Sequence, residues 1–224
     1  MTRQNNQDNP HASASSDSVR TAPKSPANRL AFLALGILLG LAVVGLLQFY
    51  FPPLSEALRW QADLVWLQPW RLLTAHFVHL SVTHLLLNAA AFVMVWLLFL
   101  NDWRAGDGIL MLATLPLTSL LLLCSSLEWY VGLSAVLHGW FLLGCIRVWP
   151  QQRWLALLMA GLLLAKLWFE ADNPFAQAEA EMLGGPIAYV SHKLGTLAAL
   201  FIWFTVFAYT ALWDRVRGKS ILKT

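Results

Sequence analysis

Six long apolar runs constrain this chain more than any other feature. Each is close to, or longer than, the roughly 20 residues that a helix needs to cross a bilayer. Charged residues make up only 12% of the chain, whereas soluble domains carry about a quarter. The sequence therefore predicts an all-α membrane protein with six transmembrane helices in a lipid bilayer. The runs cover residues 29–51, 74–100, 108–126, 131–149, 152–170 and 187–213.

The two ends of the chain differ from these runs. Residues 1–28 are rich in Asn, Gln, Ser and Pro and lack an apolar period, so we expect a disordered tail. Residues 214–224 form a short basic tail, and 29–213 form the membrane domain. No small-residue cleavage site follows the first apolar run, so that run is expected to remain in the mature protein.

Tryptophans and cysteines have structural interpretations. The stretch 54–71 carries Trp60, Trp66 and Trp70, and because Trp favours membrane interfaces it is predicted to lie on the bilayer surface. Cys124 and Cys145 lie inside apolar runs without metal-type spacing, so both are predicted to be small apolar core residues.

Basic residues are concentrated at the two ends and in alternate turns. The remaining loops are mainly acidic and contain only Arg59 and Arg71 as basic residues. The positive-inside rule then places both termini in the cytoplasm, so the second, fourth and sixth helices begin at the outer face. The cytoplasmic set is Arg3, Arg20, Lys24, Arg29, Arg104, Arg147, Arg153, Arg215, Arg217, Lys219 and Lys223.

Polar side chains inside membrane helices are costly and are candidates for function. His84 and Asn88 share a face of the second helix, Ser134 and His138 share a face of the fourth, and His192 opens the sixth. Since all three helices begin at the outer face, these groups are predicted to meet in one water-accessible pocket. Outside this set, His76 is expected to be structural, Lys166 to extend to a membrane boundary and Lys193 to reach the outer interface.

Small residues favour close contact between the fourth and sixth helices. Gly195 and Ala199 follow His192 on one side of the last helix, and small residues let two helices approach closely. If the neighbour is the fourth helix, His192 comes within hydrogen-bonding reach of Ser134.

These residue types suit acyl transfer. A serine hydroxyl becomes a useful nucleophile when an adjacent histidine takes its proton. His84, the Asn88 amide and the backbone N–H of Ser134 are candidate donors to the oxyanion that forms during attack. The set contains no carboxylate, so a third triad member is expected to be absent. His138 is then the candidate to orient His192 by stacking or hydrogen bonding.

The motifs around these residues resemble the rhomboid family of intramembrane serine proteases. The resemblance is carried by Trp70-Arg71, Thr74, His79, His84 and Asn88, by Gly132-Leu133-Ser134, and by His192-x-x-Gly195, and it extends over about 50 to 213. It implies a six-helix rhomboid-like bundle that cleaves transmembrane substrates. It further implies that Ser134 is the nucleophile, His192 the base, His84 and Asn88 the oxyanion donors, and Arg71 and His79 structural or loop-anchoring residues.

A finer resemblance points to one branch of that family. The run Gly-Leu-Ser-Ala-Val-Leu-His-Gly, residues 132–139, is similar to the rhombosortase branch. This implies substrates with a C-terminal sorting tail, in which a Gly-Gly motif precedes one transmembrane helix and a basic end. It also implies a bacterial inner membrane, with the site opening to the periplasm.

Other functions stay open or are disfavoured. Rhomboids usually have glycine where this chain has Ala135, which supports an alternative in which the protein binds transmembrane helices without cutting them. His79 and His84 are five residues apart and point to different faces of a helix, and no His-Glu-x-x-His motif is present, so no metal or cofactor is expected. The chain shows no inverted repeat typical of transporters, and with a net charge of only +3 we expect no nucleic-acid partner.

Overall fold

The computed structural model describes residues 26–104 and 106–217. Within them most of the chain is helical, which confirms the predicted all-α membrane bundle. The helices are α1 (Pro26–Tyr50), α2 (Pro52–Leu58), α3 (Arg71–Thr74), α4 (Val82–Leu98), α5 (Asp107–Leu121), α6 (Ser134–Val148), α7 (Arg153–Phe169), α8 (Ala176–Leu183) and α9 (Tyr189–Val216). Short 3₁₀ turns follow α3, α5 and α7 at Ala75–Phe77, Leu122–Cys124 and Glu170–Asp172.

The six predicted apolar runs each contain one long helix, namely α1, α4, α5, α6, α7 or α9. By length and composition, three stretches of the described chain are sufficient to cross a membrane: Leu30–Tyr50, Asp107–Cys124 and Tyr189–Val216. Most of the tail 1–28 and residues 218–224 lie outside the described residues, while α9 continues past residue 213 to Val216.

The short helix α6 lies at the centre of the bundle. It packs against α4, α5, α7 and most extensively α9. Its neighbours cover it on most sides, and Trp140, Leu143 and Val148 are buried along its length. The loop that contains β2 (Trp129–Tyr130) leads into α6.

The second apolar run differs from prediction, because it is not one helix from residue 74 to 100. The chain bends by 97° between Arg71–Phe77 and Val82–Leu98. Ser81 caps α4, and its hydroxyl accepts a hydrogen bond from the His84 N–H at 3.1 Å. His84 therefore lies in the first turn of α4.

The stretch 54–71 is a packed loop and not simply a surface segment. Trp60 is fully buried, whereas Trp66 and Trp70 are exposed as predicted for interfacial residues. Trp60 belongs to β1 (Trp60–Gln61), which pairs antiparallel with β2. Arg71 donates to the Glu56 carbonyl at 2.8 Å and ties the loop to α3.

The cysteine prediction was wrong for one of the two residues. Cys145 is buried in α6, but Cys124 is exposed at the end of the turn after α5. An apolar run marks a membrane segment without separating its packed positions from its exposed ones.

Candidate active site

The structure brings Ser134 and His192 together across α6 and α9. His192 Nε2 lies 3.0 Å from the Ser134 hydroxyl oxygen. The close approach of the two helices depends on glycine, because a Cβ at Gly195 would lie 2.0 Å from the Ala135 carbonyl oxygen. Gly139 faces the same contact, and a Cβ added there would lie 2.5 Å from the Gly195 carbonyl oxygen. The small-residue line predicted on the last helix therefore does contact the helix of Ser134.

A cavity of about 230 Å³ lies over this pair. His84, Ser134 and His192 contribute polar surface to it, together with Ser126, Glu128 and Ser191, beside apolar walls. The walls come from the loop before α6 and from the chain between α8 and α9, including Leu127, Trp129, Val131, Leu183, Pro186 and Ile187. A peptide bond that enters this cavity meets the hydroxyl and two imidazoles in largely apolar surroundings.

His84 presents a hydrogen-bond donor to the cavity. Its Nδ1 accepts from the Leu80 N–H at 3.3 Å, so a neutral ring carries its proton on Nε2. That nitrogen faces Gly132, where a Cβ would lie 3.0 Å away. Ser134 is the first residue of α6, so its backbone N–H has no partner within the helix. Two donors are therefore available near the serine hydroxyl.

Asn88 occupies a different position from the one expected. Its Nδ2 donates to the His84 carbonyl at 2.9 Å, and the cavity lining, among the described residues, includes His84 but not Asn88. The Asn88 Oδ1 is buried without a hydrogen-bond partner. Asn88 thus braces the first turn of α4 beneath His84, and its contact with the reacting atoms stays a prediction.

His138 stacks on His192 as the sequence predicted. The ring centroids are 4.3 Å apart with an interplanar angle of 18°. His138 Nδ1 donates to the Ser134 carbonyl at 2.7 Å, which fixes the ring one turn along α6. His138 thereby limits the tilt of the His192 ring without a hydrogen bond to it.

Sequence reasoning missed Glu170, and the expectation that no carboxylate lies at the site was wrong. Glu170 Oε2 lies 2.9 Å from His192 Nδ1 and 2.6 Å from Lys166 Nζ. Lys166 therefore pairs with a carboxylate and does not simply extend to a membrane boundary. The spacing of four between Lys166 and Glu170 was the available signal, because a lysine in a membrane helix requires a partner.

Electrostatics keep Glu170 ionised. Its Oε2 accepts hydrogen bonds from the Lys166 ammonium and from His192, and an adjacent positive charge favours the ionised form of a carboxylate. An ionised carboxylate only accepts hydrogen bonds. His192 Nδ1 is therefore the donor in this contact, which leaves Nε2 to accept the Ser134 proton.

The geometry at this cluster does not suit a metal ion. Ligand atoms of His138, Glu170 and His192 lie within 4.8 Å of one another. However, zinc binds imidazole nitrogen at about 2.1 Å along its in-plane lone pair. The two imidazoles here are stacked nearly parallel, so their lone pairs do not converge on one point.

The other predicted histidines lie beside the site and hold its loop in place. His79 and His84 were expected to face apart, but their rings contact edge-to-face at 5.0 Å because the bend brings His79 back over α4. The His79 N–H donates to Gln48 Oε1 at 3.0 Å, which ties the bend to α1. His76 Nε2 lies 2.9 Å from the Leu115 carbonyl and 3.1 Å from Ser119 Oγ.

Ala135 packs away from the cavity. It is fully buried in an apolar cluster with Trp60, Tyr130 and Leu122. Among the described residues the cavity lining includes Ser134 but not Ala135. The methyl group that distinguishes this chain from the usual rhomboid motif therefore occupies packed space beside the site.

Comparisons with known proteins place these residues in a wider context. A family model described as the Rhomboid domain matches residues 67–209. The match covers more than half of the chain and includes every residue of the cluster around Ser134. A search of curated proteins returns no match.

Proposed function

The chain belongs to the rhomboid family, and from this premise we propose that it is an active intramembrane serine protease with Ser134 as nucleophile and His192 as base. The observation that carries the proposal is the 3.0 Å contact between Ser134 Oγ and His192 Nε2 beneath an open cavity. Rhomboid proteins act on transmembrane substrates within the bilayer, although some members of the family are inactive.

The proposed reaction is acyl transfer. His192 Nε2 takes the hydroxyl proton as Ser134 Oγ bonds to the scissile carbonyl carbon, and the carbonyl π electrons move to its oxygen. His84 Nε2–H and the Ser134 N–H donate to that oxyanion, each contributing about 3–4 kcal/mol in the transition state. The proton on His192 then passes to the leaving amine as the C–N bond breaks. Water attacks the acyl-enzyme by the same route to release the second product.

We propose substrates of the rhombosortase type. The support is the run 132–139 and the stacking of His138 on His192. A reporter that ends in a Gly-Gly motif, an apolar helix and a basic tail is expected to be cleaved, whereas its Val-Val counterpart is not. We further propose a bacterial inner-membrane location with cytoplasmic termini and a periplasmic site, from the distribution of basic residues.

Ala135 supports one competing function, a helix-binding protein without catalysis. A fluorophosphonate probe separates the two functions because it reacts only with an activated serine. The active protease is expected to carry the probe on Ser134. A folded protein that stays unlabelled while it still captures transmembrane helices supports the binder.

The principal test is substitution of the proposed pair. Ser134→Ala and His192→Ala are each expected to lower cleavage of the reporter by about 10³-fold or more, because each removes a reactant in proton transfer. Melting temperatures of the purified proteins check that the fold persists. Ser126→Ala, at the cavity rim, serves as the matched serine control and is expected to cleave normally. Undiminished cleavage by folded Ser134→Ala rules the proposal out.

A further inference from the structure

We propose that Glu170 is a positioning residue that completes a Ser134–His192–Glu170 relay by selecting and holding the reactive form of His192. This inference rests on the proposed protease function and extends it from two residues to three. The hydrogen bond between Glu170 Oε2 and His192 Nδ1, at 2.9 Å, carries it.

Two aromatic rings hold the His192 imidazole. His138 covers one face of the ring at a centroid distance of 4.3 Å, and Tyr189 approaches it edge-on at 6.2 Å. Neither contact determines which ring nitrogen carries the proton. Glu170 contacts Nδ1 while Ser134 contacts Nε2, so the carboxylate and the hydroxyl lie at opposite nitrogens of one imidazole.

Burial of the Glu170 carboxylate carries a free-energy cost. Glu170 is only 7% exposed, and its Oε1 is buried without a hydrogen-bond partner. A buried carboxylate is unfavourable unless it is paired. Both of its hydrogen bonds go through Oε2, to His192 and to Lys166. Lys166 alone does not account for this burial, because its own side chain is 52% exposed and could pair with a carboxylate at the surface.

The Glu170 carboxylate favours one tautomer of His192. A neutral imidazole carries one proton, and an ionised Glu170 favours the form with that proton on Nδ1. Nε2 then has its lone pair directed at the Ser134 hydroxyl. When Nε2 takes the serine proton, the resulting imidazolium lies against the Glu170 carboxylate, which stays ionised throughout. In a soluble serine protease, loss of the equivalent orientation lowers kcat by about 10⁴-fold.

Lys166 has a secondary part in this arrangement. Its ammonium shares Oε2 with His192, so it helps to keep the carboxylate ionised next to an apolar bundle. Removal of Lys166 leaves the contact between Glu170 and His192 in place. If Glu170 were present only to pair with Lys166, loss of either partner would have the same effect on cleavage.

The experiment compares Glu170→Gln, Lys166→Met and Glu181→Gln in the full chain. Glu181 is an exposed carboxylate of α8 and gives a matched control for the Glu-to-Gln change. We expect Glu170→Gln to lower kcat by about 10²–10⁴-fold with little change in KM, Lys166→Met to lower it less than about tenfold, and Glu181→Gln to leave it unchanged. Fluorophosphonate labelling of Ser134 is expected to slow in parallel with kcat.

The pH profile provides a readout that a merely structural role would not move. Without the carboxylate the imidazolium loses its counter-ion, so the acid limb of kcat/KM is expected to move to lower pH in Glu170→Gln. The titratable and charged groups near His192 come from four parts of the bundle, and only Glu170 changes in this variant. They are His84 on α4, His138 on α6, Lys166 and Glu170 at the end of α7, and Tyr189 on α9.

A spectroscopic measurement keeps the inference testable if Glu170→Gln does not fold. Nitrogen-15 NMR of Ser134→Ala protein is expected to show His192 protonated on Nδ1 at neutral pH. A His192 protonated on Nε2 overturns the relay, as does a folded Glu170→Gln with cleavage within threefold of wild type and an unmoved pH profile. These outcomes are distinct from failure of the protease function, which is retained cleavage by Ser134→Ala.

Discussion

Gly132 shows how much of the site depends on one backbone conformation. Its φ is +110°, a region that side-chain-bearing residues rarely adopt. Its N–H donates to the Ala75 carbonyl at 2.9 Å, which joins the loop before α6 to the turn after α3. Its bare Cα leaves room for the His84 ring, since a Cβ would lie 2.8 Å from His84 Cε1. Gly132 thus determines the path of the backbone that leads to Ser134 and leaves room for the His84 ring, which carries a candidate oxyanion donor.

Gly132→Ala is therefore expected to strain the loop by about 1–3 kcal/mol and to displace His84. We expect a lower melting temperature, with cleavage and fluorophosphonate labelling slowed by about tenfold or more. Gly106→Ala is the control, because a Cβ at Gly106 meets nothing within 4 Å. Normal labelling and stability in Gly132→Ala would contradict this account.

At the scale of elements, the site is a product of the contact between α6 and α9. Gly139, Gly195 and Ala199 remove side-chain bulk from the contact, so backbone atoms of the two helices meet directly. Ser134 and His192 lie in the first turns of these helices, and their separation follows the spacing of the helix axes. Small residues at helix contacts are the usual route to close approach in membranes.

Gly195→Ala is expected to separate Ser134 from His192 because its Cβ would lie 2.0 Å from the Ala135 carbonyl oxygen. Cleavage is predicted to fall by about 100-fold or more, equivalent to about 2.7 kcal/mol in the transition state. Gly161→Ala on α7 is the matched control: a Cβ there meets nothing within 4 Å, and alanine favours the helix. Equal activity of Gly195→Ala and Gly161→Ala would show that the spacing between α6 and α9 does not determine the distance between Ser134 and His192.

At the scale of the whole molecule, the two ends of the bundle differ in chemistry. The cavity and its histidines lie at one end, beside the turn that ends at Cys124. At the other end Arg147 Nε donates to the buried Asp107 carboxylate at 2.9 Å, which joins the start of α5 to the last turn of α6. The orientation proposed from the basic residues places the cavity end outside.

Native cysteines can test this orientation. Cys124 is exposed near the cavity end and Cys145 is buried, so a membrane-impermeant maleimide added to spheroplasts is expected to label Cys124 alone. In a Cys124→Ser background, Asn101→Cys in the turn after α4 is expected to be protected until the membrane is lysed. The proposed topology is reversed if Cys124 of the native protein is protected in intact spheroplasts and Asn101→Cys of the Cys124→Ser protein is labelled there.

The sequence predicted most of the polar cluster for a definite reason. Ser134, His192, His84 and His138 are conspicuous because a polar group in an apolar helix is costly, and alternating helix direction places three helix starts at one face. The sequence did not predict the bend before Val82, because the hydropathy of residues 74–81 is high enough to continue a helix. Glu170 was not singled out, because it stands at the very end of the apolar run 152–170 and not inside it.

By itself, the sequence determined the number and order of the apolar helices, the candidate nucleophile and base, and the glycines that let their helices meet. These properties follow from composition and periodicity along the chain. The tertiary structure decided that Glu170 reaches His192, that Asn88 turns back to its own helix, and that Trp60 and Ala135 pack in one apolar cluster. Those contacts depend on the rotation and depth of α4, α7 and α9 around α6, which packing sets and residue order does not encode locally.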